Sequence, residues 1–589
     1  MLTTLTAPAF AKTWDIADGD ITVKAGDTGN DVTQKGETTY GDTDTIITNQ
    51  NKDIASSNTV TIETNDKNDK VEVTLKDVNI NVGSDSGSAL TSNGDVTLTL
   101  KGDNSLTGGN GGSGISSSGS LTITGGEKDS LTAQGGSGRS GIFSSGGVTI
   151  SGGTVNATGG SSGSDSGDGI HSGSLTMKGG TVNAKGGSGA DGGSGIRTFS
   201  SGGVTISGGS TVNATGGDAS DKDASAGGSG ISGKGSLTVS GGTVTANGGN
   251  GSKSESSDRS NGGRGIDSGS LTVSGGTVTA TGGDGCSGSY SDGGIGISSS
   301  SGGVTIYGGT VTATGGKSGS GDYSNGGNGI SSSGSLSISG GTVTATAGSS
   351  SGSYGRDGIT TSSSLTISGG TVTANGGSGS YRGGSGIHSR SDIDLSGSLE
   401  LTAKAGSPNG KALSQNGIEL DPNTFKEKLD PGANIITKDA DGKVIDQVSI
   451  PRPVEPEGPV IPEESSSSSD SGSSTPSADG GSATPSAPAS PLPGLTVTDK
   501  DGQRISYTSI RGNNVLSIRA GRFTASLRVS LAALRQLRAE GIDTITFRTV
   551  LCSTTLSVDE LLAMGGEDAE VVLTHHIRSS TLTVGGKAV

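Results

Sequence analysis

Large apolar side chains are scarce in this chain. Aromatic residues make up 2% of its 589 positions, with a single tryptophan, and hydrophobic residues together reach 27%. One wide core of the kind that an α/β enzyme of this length builds is therefore excluded. Long apolar runs are missing too: no stretch of about 18 apolar residues occurs, so nothing reads as a membrane-spanning helix. Positive charge is short, with 40 Lys and Arg against 57 Asp and Glu and a formal net charge of −17. Binding to phosphate needs the reverse balance, which excludes nucleic acid as a partner. The two cysteines, Cys286 and Cys552, lie far apart and supply no disulfide framework.

What the chain has in excess is glycine, 113 residues, against a usual share of about 7%. A Gly/Ser-rich chain without a period reads as disordered. This one has a period. Between about residues 110 and 390 one phrase recurs: G-I-x-S, then S-L-T-I-S-G-G-T-V-T-A-x-G-G, then a variable loop. The isoleucine of each Gly-Ile marks a unit: Ile115, Ile142, Ile170, Ile196, Ile231, Ile266, Ile297, Ile330, Ile359 and Ile387, spaced 26 to 35 residues apart. Such a spacing means a solenoid. Two-residue alternation, as in Leu271-Thr272-Val273 and Val278-Thr279-Ala280, makes it a β-solenoid.

Each unit is predicted to hold three short strands. Ile, Leu, Val and Ala face inward, and Ser and Thr face outward. The Gly275-Gly276 pair and its equivalents supply positive φ at a tight corner. The loop falls between the third strand and the next first strand, so all loops leave along one edge. The fold class is all-β, a parallel β-helix with Gly/Ser-rich loops. Less regular early coils are expected at Val71–Leu75, Val78–Val82 and Val96–Leu100.

The rest of the chain divides by composition. Residues 1–11 end in Ala9-Phe10-Ala11, a small-x-small pattern like a signal-peptidase site, and are read as a signal-peptide remnant of a secreted protein. The β-helix with its C-terminal cap takes 12–450. Asp439-Ala440-Asp441-Gly442 and Asp499-Lys500-Asp501-Gly502 lack the remaining ligands of a calcium loop and are read as hairpin turns. Residues 451–493 form a Pro/Ser-rich linker. Residues 494–589 form a small C-terminal α/β module. It is duplicated: LRVSLAAL from Leu527 and LSVDELLA from Leu556 each read as strand, capped short helix, then strand.

No catalytic constellation stands out. His171 and His388 each follow a Gly-Ile, His575 and His576 sit in a C-terminal strand, and all four read as exposed polar residues. Tyr290, Tyr323, Tyr354 and Tyr381 fall in the variable loops of four successive coils. They are expected to form a row of rings along one edge, where an aromatic face meets the C–H surface of a sugar. Asp218, Asp221 and Asp223 are candidate calcium ligands, as are Asp165 and Asp168, with solvated loop charge as the competing reading. Outward Asn156, Asn183 and Asn213 continue as Thr245, Thr279, Thr312, Thr344 and Thr373. This flat array resembles those of ice-binding β-solenoids, although β-branched Thr suits any strand.

The phrase SNGDVTLTLKGDNSLTGGNGGSGIS from Ser92, followed by repeated GSLTISGGTVTATGG, resembles a family of secreted bacterial carbohydrate-binding proteins over roughly residues 50–400. The resemblance implies a calcium-binding, right-handed parallel β-helix related in fold to polysaccharide lyases. It also implies attachment to plant polysaccharides such as cellulose and polygalacturonate. No calcium ligand of the family aligns with a position here. The C-terminal module looks like domains that end other surface proteins, which implies cell-surface attachment. Three functions follow: non-catalytic, calcium-assisted binding of a cellulose- or pectin-like polysaccharide; a surface stalk or adhesin; and a polysaccharide lyase. A lyase needs a basic residue beside bound calcium, and Arg139, Arg197, Arg356 and Arg382 lie near acidic loops.

Overall fold

The computed structural model describes residues 12–451, apart from 65–69, 200, 221–224, 253–259 and 287–289. It also describes residues 494–588, apart from 500–501, 506, 513–514, 521, 523, 550–552, 565–568, 577–579 and 586. Contacts divide the chain into two units, Met1–Gly458 and Pro459–Val589. The expected signal remnant and, beyond Pro451, the expected linker lie outside the described residues.

The first unit is a parallel β-solenoid. One coil shows its construction: a first strand Ile297–Ser299, a second Val304–Ile306 and a third Thr310–Thr314. Each pairs in parallel with its counterpart one coil on, with Ile297 beside Ile330, Val304 beside Leu336 and Val311 beside Val343. First and second strands build a 29-stranded sheet and third strands a 14-stranded one. The core between them is narrow. Ladders of Ile, Leu or Val, and Ala run along the axis, and Ile297, Val304, Ile306, Val311 and Ala313 are all fully buried.

One expectation about facing is overturned. The serine of G-I-x-S turns inward, because a two-residue period puts it on the same face as the isoleucine. In several coils its hydroxyl bonds at the corner, as where Ser299 Oγ donates toward the carbonyls of Gly302 and Gly269, both at 2.9 Å. At Ser172 and Ser268 it has no partner among the described residues. The outward side of the third strand follows expectation. Asn183 Nδ2 donates to Asn156 Oδ1 and Asn213 Nδ2 to Asn183 Oδ1, each at 2.8 Å, in a short amide ladder.

Glycine acts in two ways. At the corner between second and third strands, Gly276 has φ +78°, the left-handed region that favours glycine. After the third strand the reason is different. A Cβ on Gly283 would stand 1.9 Å from the carbonyl oxygen of Gly249 on the preceding coil. Here backbones approach too closely for any side chain. A line of hydrogen bonds brings these peptides together: Gly249 N–H donates to the Gly228 carbonyl at 2.8 Å, Gly263 to Gly249 at 2.7 Å, Gly283 to Gly263 at 2.8 Å, and Gly294 to Gly283 at 2.8 Å. The chain continues through Gly316, Gly327 and Gly348. Glycines at the exit and return of each loop thus alternate along one line.

Both ends of the solenoid are closed. Ile21–Ala25, Asn30–Gln34 and Glu37–Asp42 form an antiparallel meander at the start. There the Trp14 indole donates to Asp42 Oδ2 at 2.9 Å. At the other end a 3-10 helix, Pro422–Lys428, buries Phe425, and Asn434–Lys438 pairs antiparallel with Val444–Ser449. The Asp439 carboxylate accepts from the amides of Asp441 and Lys443, the hairpin turn expected there.

The second unit has two small sheets, one of five strands and one of four. The duplication expected from the sequence is present. Ala525–Ser530 leads into helix α1 (Leu531–Ala539) and then Thr544–Arg548. Ser553–Ser557 leads into helix α2 (Val558–Ala563) and then Glu570–His575. Ser530 and Ser557 cap the two helices, accepting from the amides of Ala533 and Glu560. His575 is not exposed, contrary to its sequence reading. It is fully buried, between Thr549 Oγ1 at 3.2 Å from Nδ1 and Thr554 Oγ1 at 2.9 Å from Nε2. Inward alternation on Glu570–His575 carries it into the core.

Substitutions separate these effects. Ile297→Asp places an unpartnered charge in the dry ladder and is expected to cost several kcal/mol. Gly283→Ala should cost at least the roughly 1–3 kcal/mol of an overpacked site. Gly163→Ala, where a Cβ meets nothing within 4 Å, should stay within about 0.5 kcal/mol of the parent. Denaturant midpoints check all three.

A pH dependence follows for the second unit. Burial holds the His575 pKa below its ordinary 6.5. As pH falls through that value the unfolded chain takes up a proton that the folded one refuses, so stability is lost toward acid. Hydrogen exchange of Glu570–His575 in the intact chain should show weaker protection at about pH 5.5 than at about pH 7.5, after correction for intrinsic rates. His575→Gln should flatten that dependence.

Candidate functional site

Loops leave the rod between third and first strands, and their bases are held by the glycine line. Beyond the glycines the loops stay paired coil to coil: the amide of Gly251 donates to Asp284, Gly285 to Lys317, Ser318 to Ser349 and Ser350 to Ser378, at 2.7 to 3.0 Å. Side chains continue the pattern. Asp218 Oδ1 accepts from the Asn250 amide at 2.7 Å, Asn250 Oδ1 from Asp284 at 2.9 Å and Asp284 Oδ1 from Lys317 at 2.7 Å. Asp218 therefore serves as a staple between coils. Asp221 and Asp223 lie outside the described residues. Among the described residues no three His, Cys, Asp or Glu side chains gather in a way that holds a metal ion.

The four loop tyrosines come together as two pairs. Tyr290 and Tyr323 stack with centroids 5.1 Å apart and planes 14° apart. Tyr354 and Tyr381 meet edge to face at 5.5 Å and 74°. Both separations are close to the rise of one coil. All four rings are exposed, from 47% for Tyr290 and Tyr354 to 73% for Tyr381. Loop pairing fixes the second pair, with a bridge between Tyr354 and Arg382 and a hydrogen bond from the Tyr381 amide to the Ser353 carbonyl at 2.9 Å. The stacked pair turns one face of each ring inward on its partner and leaves the other outward.

A second cluster was missed in the sequence. Outward positions of successive first strands place Phe143, His171 and Arg197 side by side. Behind them sits Asp168, 4% exposed. Its Oδ1 accepts from the Ser194 amide at 2.7 Å and faces Arg197 Nε at 3.2 Å, and its Oδ2 lies 3.1 Å from His171 Nδ1. The His171 ring packs against Phe199 at 4.5 Å and meets Phe143 edge-on at 5.7 Å. His171 is thus a fixed, half-buried member of a charged aromatic cluster, not a free strand residue. These groups, with Arg139, Asp165 and Asp191, line a groove of about 680 Å³.

The equivalent position six coils on is Asp357. It keeps the staple, accepting from the Ser385 amide at 2.7 Å. Burial pushes its carboxyl up, while the Ser385 amide, His388 and Arg356 pull it down. At Asp168 a histidine and an arginine both lie within 3.2 Å of the carboxylate. Aligning the units on their isoleucines exposes this, because it sets Asp168 beside Ser194 and His171 beside Arg197.

Five stretches of the chain, residues 148–174, 237–252, 271–296, 336–356 and 365–389, match the family model described as beta helix repeat. No curated protein matches the chain, and no solved structure does. Among the described residues no helix is long and apolar enough to cross a membrane. Geometry and the matched stretches together make the first unit a parallel β-solenoid.

Proposed function

We propose that this protein is a secreted, non-catalytic binder of extracellular polysaccharide that takes its ligand along the loop edge. The observation that carries the reading is the tyrosine arrangement. Four exposed rings on four successive loops are held in contact pairs by loops that are themselves hydrogen-bonded from coil to coil. Exposed aromatic surface of this kind is costly to leave in water unless it meets a partner. A sugar chain offers matching C–H faces, and the phenol tips supply hydrogen bonds. Calcium enters as an accessory ligand of the acidic loops, and the second unit as the means of surface attachment.

A surface stalk is the competing reading. It draws on the uniform ladders and the closed ends, which make a rod that needs no ligand. The two differ in one measurement, binding of the intact chain to a glycan array with and without chelator.

Each aromatic contact is worth about 0.5–1.5 kcal/mol, so Tyr323→Ala should weaken binding roughly two- to twelve-fold. Replacing Tyr290, Tyr323, Tyr354 and Tyr381 together should cost far more, because the rings act on one extended chain. Phe at the same positions should keep most of the affinity. Pull-down on insoluble cellulose and titration with soluble pectate check these outcomes. Undiminished binding by the quadruple Ala variant would move the site away from the tyrosines.

A further inference from the structure

We infer that the groove beside Asp168 is a separate saccharide subsite on the same edge, and that it takes an uncharged sugar. The inference rests on the polysaccharide reading above and narrows it. The groove combines what a pyranose requires. Phe143 and His171 offer ring surface, and the remaining groups are planar and polar. His171 is held by Asp168 through Nδ1, which leaves Nε2 uncommitted. Arg197 uses Nε on Asp168 and Nη2 on Ser194, which leaves Nη1. The Arg139 guanidinium and the exposed Asp165 carboxylate have no hydrogen-bond or ion-pair partner among the described residues, although both line the groove.

Charge selects the ligand class. Arg139 and Arg197 stand against Asp165, Asp168 and Asp191, so the groove carries no positive excess for a uronate. Residues 494–589 hold 11 Lys and Arg against 9 Asp and Glu, which leaves about −19 on the rest of the chain. A polyanion is repelled at close range, within a Debye length of about 8 Å in physiological salt. Vicinal hydroxyls of a neutral hexose or pentose both donate and accept, and so bridge Arg139 or His171 to Asp165 or Asp191 without a charge to offset.

Position ties the groove to the tyrosines. The first-strand ladder runs in register from Ile170 through Ile196, Ile231 and Ile266 to Ile297. The Tyr290 loop enters the Ile297 coil three coils beyond Arg197, roughly 14 Å at about 4.8 Å per strand. A chain lying along the rod therefore touches both places.

The test is calorimetric titration of the intact protein with neutral trisaccharides from glucan, mannan and xylan, and with trigalacturonate. At least one neutral trisaccharide should bind the parent and the quadruple Tyr→Ala variant alike, more tightly than trigalacturonate. Arg139→Ala and His171→Ala should each lower that affinity about tenfold or more, the size of a lost contact to a fixed polar group. The exposed Arg139 side chain has no hydrogen-bond or ion-pair partner among the described residues, so its variant should melt like the parent, and a matching melt separates lost binding from a folding defect. Binding of every trisaccharide unchanged in both variants, preference for trigalacturonate, or no binding of any neutral trisaccharide overturns the subsite. If polymer binding still falls in the quadruple tyrosine variant, the platform stands while the groove fails. If the array shows no binding at all, both fail.

Discussion

The structure depends on one repeated contact, the hydrogen bond between glycine peptides at the two ends of each loop. Gly283 receives Gly294 and donates to Gly263, and the same exchange recurs along the rod. At most of these positions the peptides meet with carbonyl oxygens where a Cβ would stand, which selects glycine, while Arg139 and Arg356 take the return position in two coils. The contact closes loops of different length at the same base. That is how units of 26 to 35 residues share one axial rise, since a longer loop changes only what lies outside the glycines.

A scaffold of this kind confines variation. Inward positions are held chiefly to Ile, Leu, Val, Ala and Ser, and the corners and most loop bases to glycine. Chemistry is left to the outward strand positions and to the loops, which leave along one edge. The tyrosine pairs and the Asp168 groove lie there. Regular rise turns a substitution repeated in successive units into a contact, as with Tyr290 on Tyr323 or Asn183 on Asn156.

Much of the acidity of the chain is structural. Asp168, Asp218, Asp284 and Asp357 each accept a backbone amide from the next coil. A carboxylate bonded to an amide keeps its charge at modest cost, so the staples tighten the loops. Acidic composition alone therefore overstates the oxygen available to a cation. Asp168 differs because Arg197 and His171 close around it, turning a staple into the wall of a groove.

The sequence by itself determined the elements whose signal is local. Isoleucine spacing and two-residue alternation marked the strands and the ladders. Asp439 to Gly442 marked a hairpin turn, and the segments from Leu527 and Leu556 marked two short capped helices. Each depends on neighbours within a few residues or on strict repetition. Tertiary structure alone decided whatever depends on which residue of the next coil stands alongside. Arg197 reaches Asp168 from the following coil, and irregular loop lengths hide that neighbourhood in the linear chain. The same holds for the pairing of the tyrosines, for Asp218 as a staple and for the burial of His575 among Thr549, Thr554 and Phe547. Even glycine's second role was hidden, because close approach of two backbones leaves no trace in the residue that permits it.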